Sequence, residues 1–166
     1  MCETKNSIGC WTLLFAIQNL KPSPFCLLDE IEALEADRIY CRHGLEHLLD
    51  VARISYIQVL EDGLDYDKNI LYAAALLHDI GRAAEYRSAG SHDEAGAVIA
   101  EGILRDCGYA ESEIQLIQEA IRGHGEEGGS GLAALLHRSD KASRMCFRCK
   151  AADTCKWKVK NEGIEK

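Results

Sequence analysis

Aromatic residues and prolines are scarce in this chain of 166 residues; the first shortage argues against a β-sheet protein, and the second leaves room for long helices. Phe, Trp and Tyr make up 7% of the residues, whereas the helix-favouring Ala, Leu, Ile and Glu are abundant. Both prolines, Pro22 and Pro24, lie near the N-terminus, so no proline interrupts a helix after them. The sequence therefore predicts an all-α fold, a compact bundle of several helices.

The chain also lacks an excess of positive charge and a long apolar run. Its formal net charge is −8 at pH 7, whereas a surface that binds nucleic acid needs a basic patch to neutralise phosphates. No apolar segment reaches the roughly 20 residues that a transmembrane helix needs. We therefore expect neither nucleic acid nor a membrane as a partner.

The segment Ile8 to Leu20 is apolar enough to resemble the core of a signal peptide. However, Glu3 offsets Lys5 before it, and no small-residue cleavage site follows it. We interpret residues 1–24 as a helical extension that packs on the protein or on a partner, including a second copy in a homo-oligomer. The expected location is the cytoplasm.

The most informative stretch ends an apolar run with two side chains that can bind metal. The run from Ile70 to Leu77 precedes His78 and Asp79, and Gly81 follows two residues later. This pattern predicts a buried helix that ends at Gly81, because glycine adopts the left-handed conformation without a Cβ penalty. Neighbouring helix residues project about 100° apart, so a metal here needs ligands from other helices. A lone His–Asp pair would more simply be a solvated helix cap.

Apolar spacing and capping residues predict further helices around this one. The expected ranges are about 27–37, 39–60, 65–79, 92–107, 113–122 and 132–146. Asp65 is the predicted N-cap of the third, and Ser91 with Glu94 forms a predicted capping box before the fourth. Arg82 to Gly90 is expected to be a polar loop. The helical domain would span residues 25–145.

Four more residues of metal-binding type lie on or beside predicted helices. His47 lies on the long second helix, His92 opens a helix, His124 follows another, and Asp140 lies in the last. The order His…His-Asp…His…His…Asp, spread over Tyr40 to Arg144, resembles the HD superfamily of metal-dependent phosphohydrolases. The resemblance implies an HD-type helical bundle and hydrolase activity.

The resemblance also implies a metal site with two divalent ions. Its implied ligands are His47, His78, Asp79, His92, His124 and Asp140. Asp79 would bridge the ions, and His92 and His124 would complete the second. Imidazole and carboxylate ligands suit Fe, Mn, Co, Ni or Zn. Taken singly, His92 could equally be a helix-start residue that binds nothing, and His124 a turn residue after a helix.

The implied reaction is hydrolysis of a nucleotide, a dinucleoside polyphosphate or another small phosphate ester by metal-bound hydroxide. Asp79 is central to it, and Arg82 and Lys141 are the candidate phosphate-binding side chains, unless they are solvated surface charges. His43 and His137 are expected to support the ligands or to lie at the surface. The same ligands also occur in di-iron HD-type oxygenases, and a non-catalytic metal or redox sensor is a further alternative.

Three of the eight cysteines form the spacing Cys146-x2-Cys149-x5-Cys155. In a chain with no evident export signal, this cluster favours a metal or redox site over a disulfide framework. A closed zinc site needs a fourth ligand, and Cys41 is the candidate. Such a structural zinc would hold the tail, residues 146–166, on the domain, and free thiols or a disulfide are the alternatives.

Cys41 is chosen by its position relative to the implied metal ligands. It lies six residues before His47, and Cys146 lies six residues after Asp140. If both pairs lie on antiparallel helices that share a metal, the two cysteines reach the same end of the bundle.

Overall fold

The computed structural model describes residues 24–155, and these form helices joined by short connections. The α-helices are α1 (Pro24–Leu34), α2 (Leu45–Glu61), α3 (Lys68–Leu77), α4 (Arg82–Tyr86), α5 (His92–Asp106), α6 (Glu111–Gly123) and α7 (Gly131–Ala142). Two 3-10 turns follow, η1 (Cys146–Arg148) and η2 (Ala152–Thr154). No strand occurs among residues 24–155, and the predicted all-α class is confirmed.

Helix α3 lies in the middle of the hydrophobic core. Six of its ten residues are buried, including Leu71, Leu76 and Leu77. It packs chiefly against α2 and α6, and also touches α5 and α7. Burial on several sides explains why its sequence is apolar almost without interruption. The predicted buried helix before His78 is therefore present.

Helix α3 begins two residues later than the sequence suggested. Its N-cap is Asp67, whose carboxylate accepts hydrogen bonds from the backbone N–H groups of Asn69 (2.7 Å) and Ile70 (3.4 Å). Asp65, the predicted cap, lies outside the helix and is exposed, so that prediction is wrong. Asp67 is the N-cap because its position lets one carboxylate accept hydrogen bonds from two N–H groups of the first turn.

Replacing Asp67 with alanine is expected to lower the free energy of unfolding by about 1 kcal/mol, the usual cost of losing an N-cap. Asp65→Ala is the matched control and should change it by less than about 0.5 kcal/mol, as surface substitutions do. Urea denaturation with an unchanged m value measures both. Equal effects of the two variants would contradict the assignment of the cap.

The connection between α1 and α2 is not helical, contrary to the expectation for residues 39–60. Glu35 accepts a hydrogen bond from the backbone N–H of His43 (2.7 Å) and also bonds its imidazole. Gly44 then has an extended backbone at the start of α2. These contacts hold the chain across the end of α1, so Cys41 lies outside the helix.

Two other boundaries differ from the sequence-based expectation. Residues Arg82–Tyr86 form the short helix α4 instead of a polar loop, and α7 ends at Ala142 rather than near Cys146. The predicted cap of α5 is confirmed, since the Ser91 hydroxyl accepts the backbone N–H of Glu94 (3.4 Å).

No helix within residues 24–155 combines the length and the apolar character that crossing a membrane requires. The predicted N-terminal helix at Ile8 to Leu20 lies outside the described residues, and so does the tail after Cys155. Helix α1 begins at Pro24, where a proline fits because the first turn of a helix needs no intrahelical N–H bond.

Candidate metal centre

Helix ends bring the six predicted metal ligands into one cluster. His78 and His124 are the C-caps of α3 and α6, and His92 is the first residue of α5. Two overlapping groups offer ligand atoms within 4.8 Å of one another: His47, His78, Asp79 and Asp140, and Asp79, His92 and His124. Asp79 belongs to both groups.

Gly81 brings the start of α4 and the start of α5 close together. A Cβ atom on Gly81 would lie 2.1 Å from the His92 carbonyl oxygen and 2.4 Å from the Gly96 backbone nitrogen. Its backbone is not left-handed, with φ −78° and ψ −4°. The predicted conformational role of Gly81 is therefore wrong, and its small size is what the structure requires.

Asp79 lies at the centre of the cluster and is 1% exposed. Its Oδ2 atom lies 3.1 Å from His78 Nε2 and 3.6 Å from His47 Nε2. Its Oδ1 atom lies 3.7 Å from His92 Nε2 and 3.9 Å from His124 Nε2. Each carboxylate oxygen thus faces a different pair of histidines.

Backbone carbonyls orient the imidazoles of His78 and His124, the C-caps of α3 and α6. His78 Nδ1 donates to the Ala75 carbonyl (2.7 Å), and His124 Nδ1 donates to the Ile121 carbonyl (2.6 Å). Because a carbonyl only accepts, Nδ1 carries a proton and Nε2 is the nitrogen left to bind a metal. The buried His78 Nε2 has no hydrogen-bond partner. A buried polar atom without a partner lowers the stability of the folded protein by about 1–3 kcal/mol, and a metal–ligand bond would offset this loss.

His92 and His47 also use Nδ1 away from Asp79. Glu85 Oε1 accepts from His92 Nδ1 at 3.1 Å. The Ser143 hydroxyl donates to the Asp140 carbonyl (2.8 Å) and accepts from His47 Nδ1 (3.1 Å). Partners of this kind orient histidines that bind metals. Four imidazole Nε2 atoms and two carboxylates therefore form a donor set that fits divalent cations.

The carboxylates of Asp79 and Asp140 are ionised in spite of their burial. Burial raises the pKa of Asp79, but His78, His47 and Arg82 together hold it well below its usual range. Burial likewise opposes ionisation of Asp140, yet hydrogen bonding to His47 and the charge of Arg144 keep its pKa lowered. Both carboxylates are thus ionised near neutral pH.

The two helix-capping histidines differ in their electrostatic surroundings. Burial and the neighbouring His78 lower the pKa of His124 to about 4, so His124 is neutral at pH 7. Burial also lowers the pKa of His78, but Asp79 outweighs it and the net shift is upward. A proton held on His78 would leave when a cation binds, because metal ligands must be deprotonated.

Three cationic side chains contact the carboxylates of the cluster. Arg82 Nε donates to Asp79 Oδ1 (2.9 Å), and Lys141 Nζ donates to Asp140 Oδ2 (2.6 Å). Arg144, which sequence reasoning missed, donates to Asp140 Oδ1 (2.8 Å). Its position four residues after Asp140, in the helix predicted to continue to about Cys146, was the available signal.

His43 was expected to be a supporting or surface residue, and the structure buries it beside Asp79. Its Nε2 lies 4.0 Å from Asp79 Oδ2, while Nδ1 bonds to Glu35. Like the predicted ligands, His43 therefore bonds a partner through Nδ1 while its Nε2 faces Asp79. His137 is half-buried, and its Nδ1 donates to the His124 carbonyl (2.8 Å).

Asp93 is a further acidic residue of the cluster that sequence reasoning missed. Its Oδ1 atom lies 3.0 Å from His92 Nε2 and 3.4 Å from His124 Nδ1, and is buried without a hydrogen bond. Its place directly after His92, in the first turn of α5, was the only sequence signal.

The cluster of histidines and aspartates, here called the His/Asp cluster, borders a cavity of about 390 Å³. Its lining includes Asp140 and four cations, Arg38, Arg82, Lys141 and Arg144. The lining also includes three of the four singled-out cysteines: Cys41, Cys146 and Cys155. Positive charge is therefore concentrated beside the cluster although the whole chain is acidic.

The matched helical offsets predicted for Cys41 and Cys146 are wrong. Cys41 precedes α2, and Cys146 follows the end of α7, so neither lies on the helix that was predicted to carry it. A different set of contacts nevertheless places Cys41 near the C-terminal cysteines. Burial and the nearby Cys41, Cys149 and Cys155 raise the pKa of the Cys146 thiol.

A family model described as the HD domain matches residues 44–148 of the chain. An uncharacterized protein of Clostridium beijerinckii is 38% identical over 141 residues, which cover 80% of this chain and 90% of that protein. No solved structure matches the chain significantly.

Proteins named Ribonuclease Y also match. The one from Pseudothermotoga lettingae is 32% identical over 116 residues, 70% of this chain and 20% of that protein. The one from Mycoplasma mycoides is 36% identical over 118 residues, 69% of this chain and 26% of that protein. The chain thus spans only about a fifth to a quarter of the length of these two ribonucleases.

Proposed function

Since the chain belongs to the HD domain family of metal-dependent phosphohydrolases, we propose that it hydrolyses a small phosphate ester or anhydride, such as a nucleotide or a dinucleoside polyphosphate. The observation that carries the proposal is the position of Asp79, shared between two histidine pairs beside a cavity lined with cations. This arrangement combines a place for metal ions with a place for an anionic substrate.

Two ions account for the ligand groups better than one. His47, His78, Asp79 and Asp140 would hold the first, and His92 and His124 with Asp79 the second. Bound divalent ions would supply Lewis-acid activation of water and of a phosphate oxygen. The chain's own contribution is to orient each imidazole through its Nδ1 partner and to exclude bulk water by burial.

Arg82 and Arg144 have a second use once cations neutralise the carboxylates. Each now bonds a carboxylate oxygen of Asp79 or Asp140. Divalent ions on the same oxygens would weaken these ion pairs and leave the guanidinium groups to bind phosphate, for which their planar geometry is suited. Lys141 would add a point charge at the same wall of the cavity.

The size of the cavity favours a small substrate. A volume of about 390 Å³ lies at the lower end of the roughly 300–1,000 Å³ found for small-molecule sites. A phosphodiester in RNA is the second candidate, because the similar proteins include several named Ribonuclease Y. The net charge of −8 weighs against a long polyanion.

A substrate screen tests the proposal. Protein loaded in turn with Mn, Co, Ni, Fe or Zn is supplied with mononucleotides, dinucleoside polyphosphates and a short oligoribonucleotide, and product formation is measured. We expect turnover of a small nucleotide that chelator abolishes. Cleavage of the oligoribonucleotide alone would favour the second candidate, and oxygen consumption with iron alone would favour an oxygenase.

The Arg82→Ala variant tests the phosphate-binding role. We expect kcat/KM to fall about tenfold to hundredfold, as for the loss of a hydrogen bond to a charged group, with metal content unchanged. Arg87→Ala, one residue beyond α4 and bonded to Glu30, is the control and should leave kcat/KM unaltered. Loss of metal in Arg82→Ala would show that the residue serves the metal centre instead.

A further inference from the structure

The segment 146–155, here called the cysteine loop, is folded without a hydrophobic core of its own. Neither η1 nor η2 contains a buried residue, and Phe147 is 73% exposed. Backbone hydrogen bonds close its turns, from Cys149 N–H to the Cys146 carbonyl (3.1 Å) and from Cys155 N–H to the Ala152 carbonyl (3.3 Å). Turns this short supply little stability of their own, so contacts from outside the loop must hold it in place.

Contacts at both ends hold the cysteine loop against the segment before α2. Arg144, two residues before the loop, donates to the Arg42 carbonyl (2.8 Å). The Tyr40 hydroxyl donates to the carbonyl of Thr154 (3.5 Å), one residue before the last cysteine. Cys41 lies between Tyr40 and Arg42, the two anchoring residues of its segment, and lines the same cavity as Thr154.

The four thiols surround one region. Cys41, Cys146 and Cys155 line the same cavity, and all three of the other thiols influence Cys146 electrostatically. All four are free thiols. Within residues 24–155, the groups with three ligand atoms inside 4.8 Å are those of the His/Asp cluster, so the sulfurs are spaced more widely than zinc requires. Zinc binding by all four would require the side chains to turn toward one another, and a change of staggered χ1 rotamer moves a sulfur by about 3 Å.

The charges around the cysteine loop suit a thiolate cluster. Four thiolates around Zn²⁺ carry a net charge of −2. Arg38, Lys141 and Arg144 line the cavity that the thiols also line. Burial and the neighbouring thiols raise the pKa of Cys146, and the charge of Arg144 opposes that rise. Positive charge is thus available where the metal cluster would be anionic.

We propose that Cys41, Cys146, Cys149 and Cys155 bind one structural Zn²⁺ ion. Four Zn–S bonds form, the four thiols release their protons to solvent, and the ion keeps its oxidation state, so no oxidant is needed. The zinc fixes the cysteine loop as one wall of the cavity beside Asp140. The proposal is independent of the reaction catalysed at the His/Asp cluster.

Metal analysis of the full chain, purified with a reducing agent, tests this site. We expect one equivalent of zinc that remains in Asp79→Asn, is lost in Cys149→Ser and in Cys155→Ser, and is unchanged in the control Cys26→Ser. Cys26 is an exposed cysteine on α1. Cobalt added to the metal-free protein should give thiolate-to-cobalt charge-transfer absorption in wild type and in Asp79→Asn.

Because the cobalt titration uses the wild-type chain, it does not depend on whether a serine variant folds. Absence of the charge-transfer absorption from wild type would overturn the proposal. So would iron with inorganic sulfide in place of zinc, or a disulfide between these cysteines under reducing purification. Zinc retained in full by both serine variants would also contradict it.

Discussion

The Asp79→Asn variant is expected to lose the divalent metal of the His/Asp cluster, though not the zinc at the cysteines, and more than about 100-fold of its hydrolytic activity while keeping its fold. Both oxygens of Asp79 face histidine Nε2 atoms, one pair on each side. An amide keeps the size of the side chain, but it removes the charge and replaces one oxygen with a nitrogen that cannot ligate. Losing a mere supporting contact of a metal ligand already costs 10–100-fold, so losing a shared ligand costs more.

Two further variants make the Asp79 experiment specific. His92 contacts only the Oδ1 side of Asp79, so His92→Ala should remove about half of the metal if the centre holds two ions. Asp50→Asn changes an exposed carboxylate on α2 and should alter neither metal content nor rate. Metal content is measured after gel filtration, and circular dichroism reports the fold. Full metal content in Asp79→Asn would refute the assignment of the centre.

The six candidate ligands came from the resemblance to the HD superfamily, and helix-capping residues gave a local signal for the helix ends near which several of them lie. His78 and His124 follow apolar helical runs, and Ser91 marks the start of the helix that His92 opens. Side chains at helix ends are set largely by local sequence, and a compact bundle brings such ends together. The grouping of the six residues was what the resemblance implied, and the number of ions they hold stays a prediction.

Contacts between distant parts of the chain could not be anticipated in the same way. Glu35 captures both the backbone and the ring of His43, and this tertiary contact keeps residues before α2 out of the helix. The spacing of apolar residues alone would continue that helix backward. Likewise, the hydrogen bond from Arg144 to the Arg42 carbonyl joins residues 102 positions apart, and no local pattern encodes it.

Gly81 shows how a correct choice of residue can rest on a wrong physical reason. Glycine after a helical run predicts a left-handed cap, but φ at Gly81 is −78°, a value that any residue adopts. What excludes a side chain is the backbone of α5, with the His92 carbonyl oxygen 2.1 Å from the position of an added Cβ. Packing distances of this kind between two helices leave no trace in local sequence patterns.

Gly81→Ala is accordingly expected to lower the free energy of unfolding by about 3 kcal/mol, the upper end of the usual cost of overpacking. The Gly96 backbone nitrogen, 2.4 Å from the added Cβ, also belongs to α5, so no side-chain rotation can relieve the clash. Helix α5 must instead move away from α4. Because His92 is the first residue of α5, this movement also separates its Nε2 from Asp79 and should weaken metal binding.

Gly102→Ala is the matched control, since it makes the same change within α5 at a position where an added Cβ meets nothing within 4 Å. Alanine is the better helix former, so this variant should be stabilised by about 0.5–1 kcal/mol. Urea denaturation of the two variants, with metal content measured in parallel, separates tight packing from helix propensity. If Gly81→Ala were also stabilised, the close approach of α4 and α5 would be wrong, and His92 would need another means of reaching Asp79.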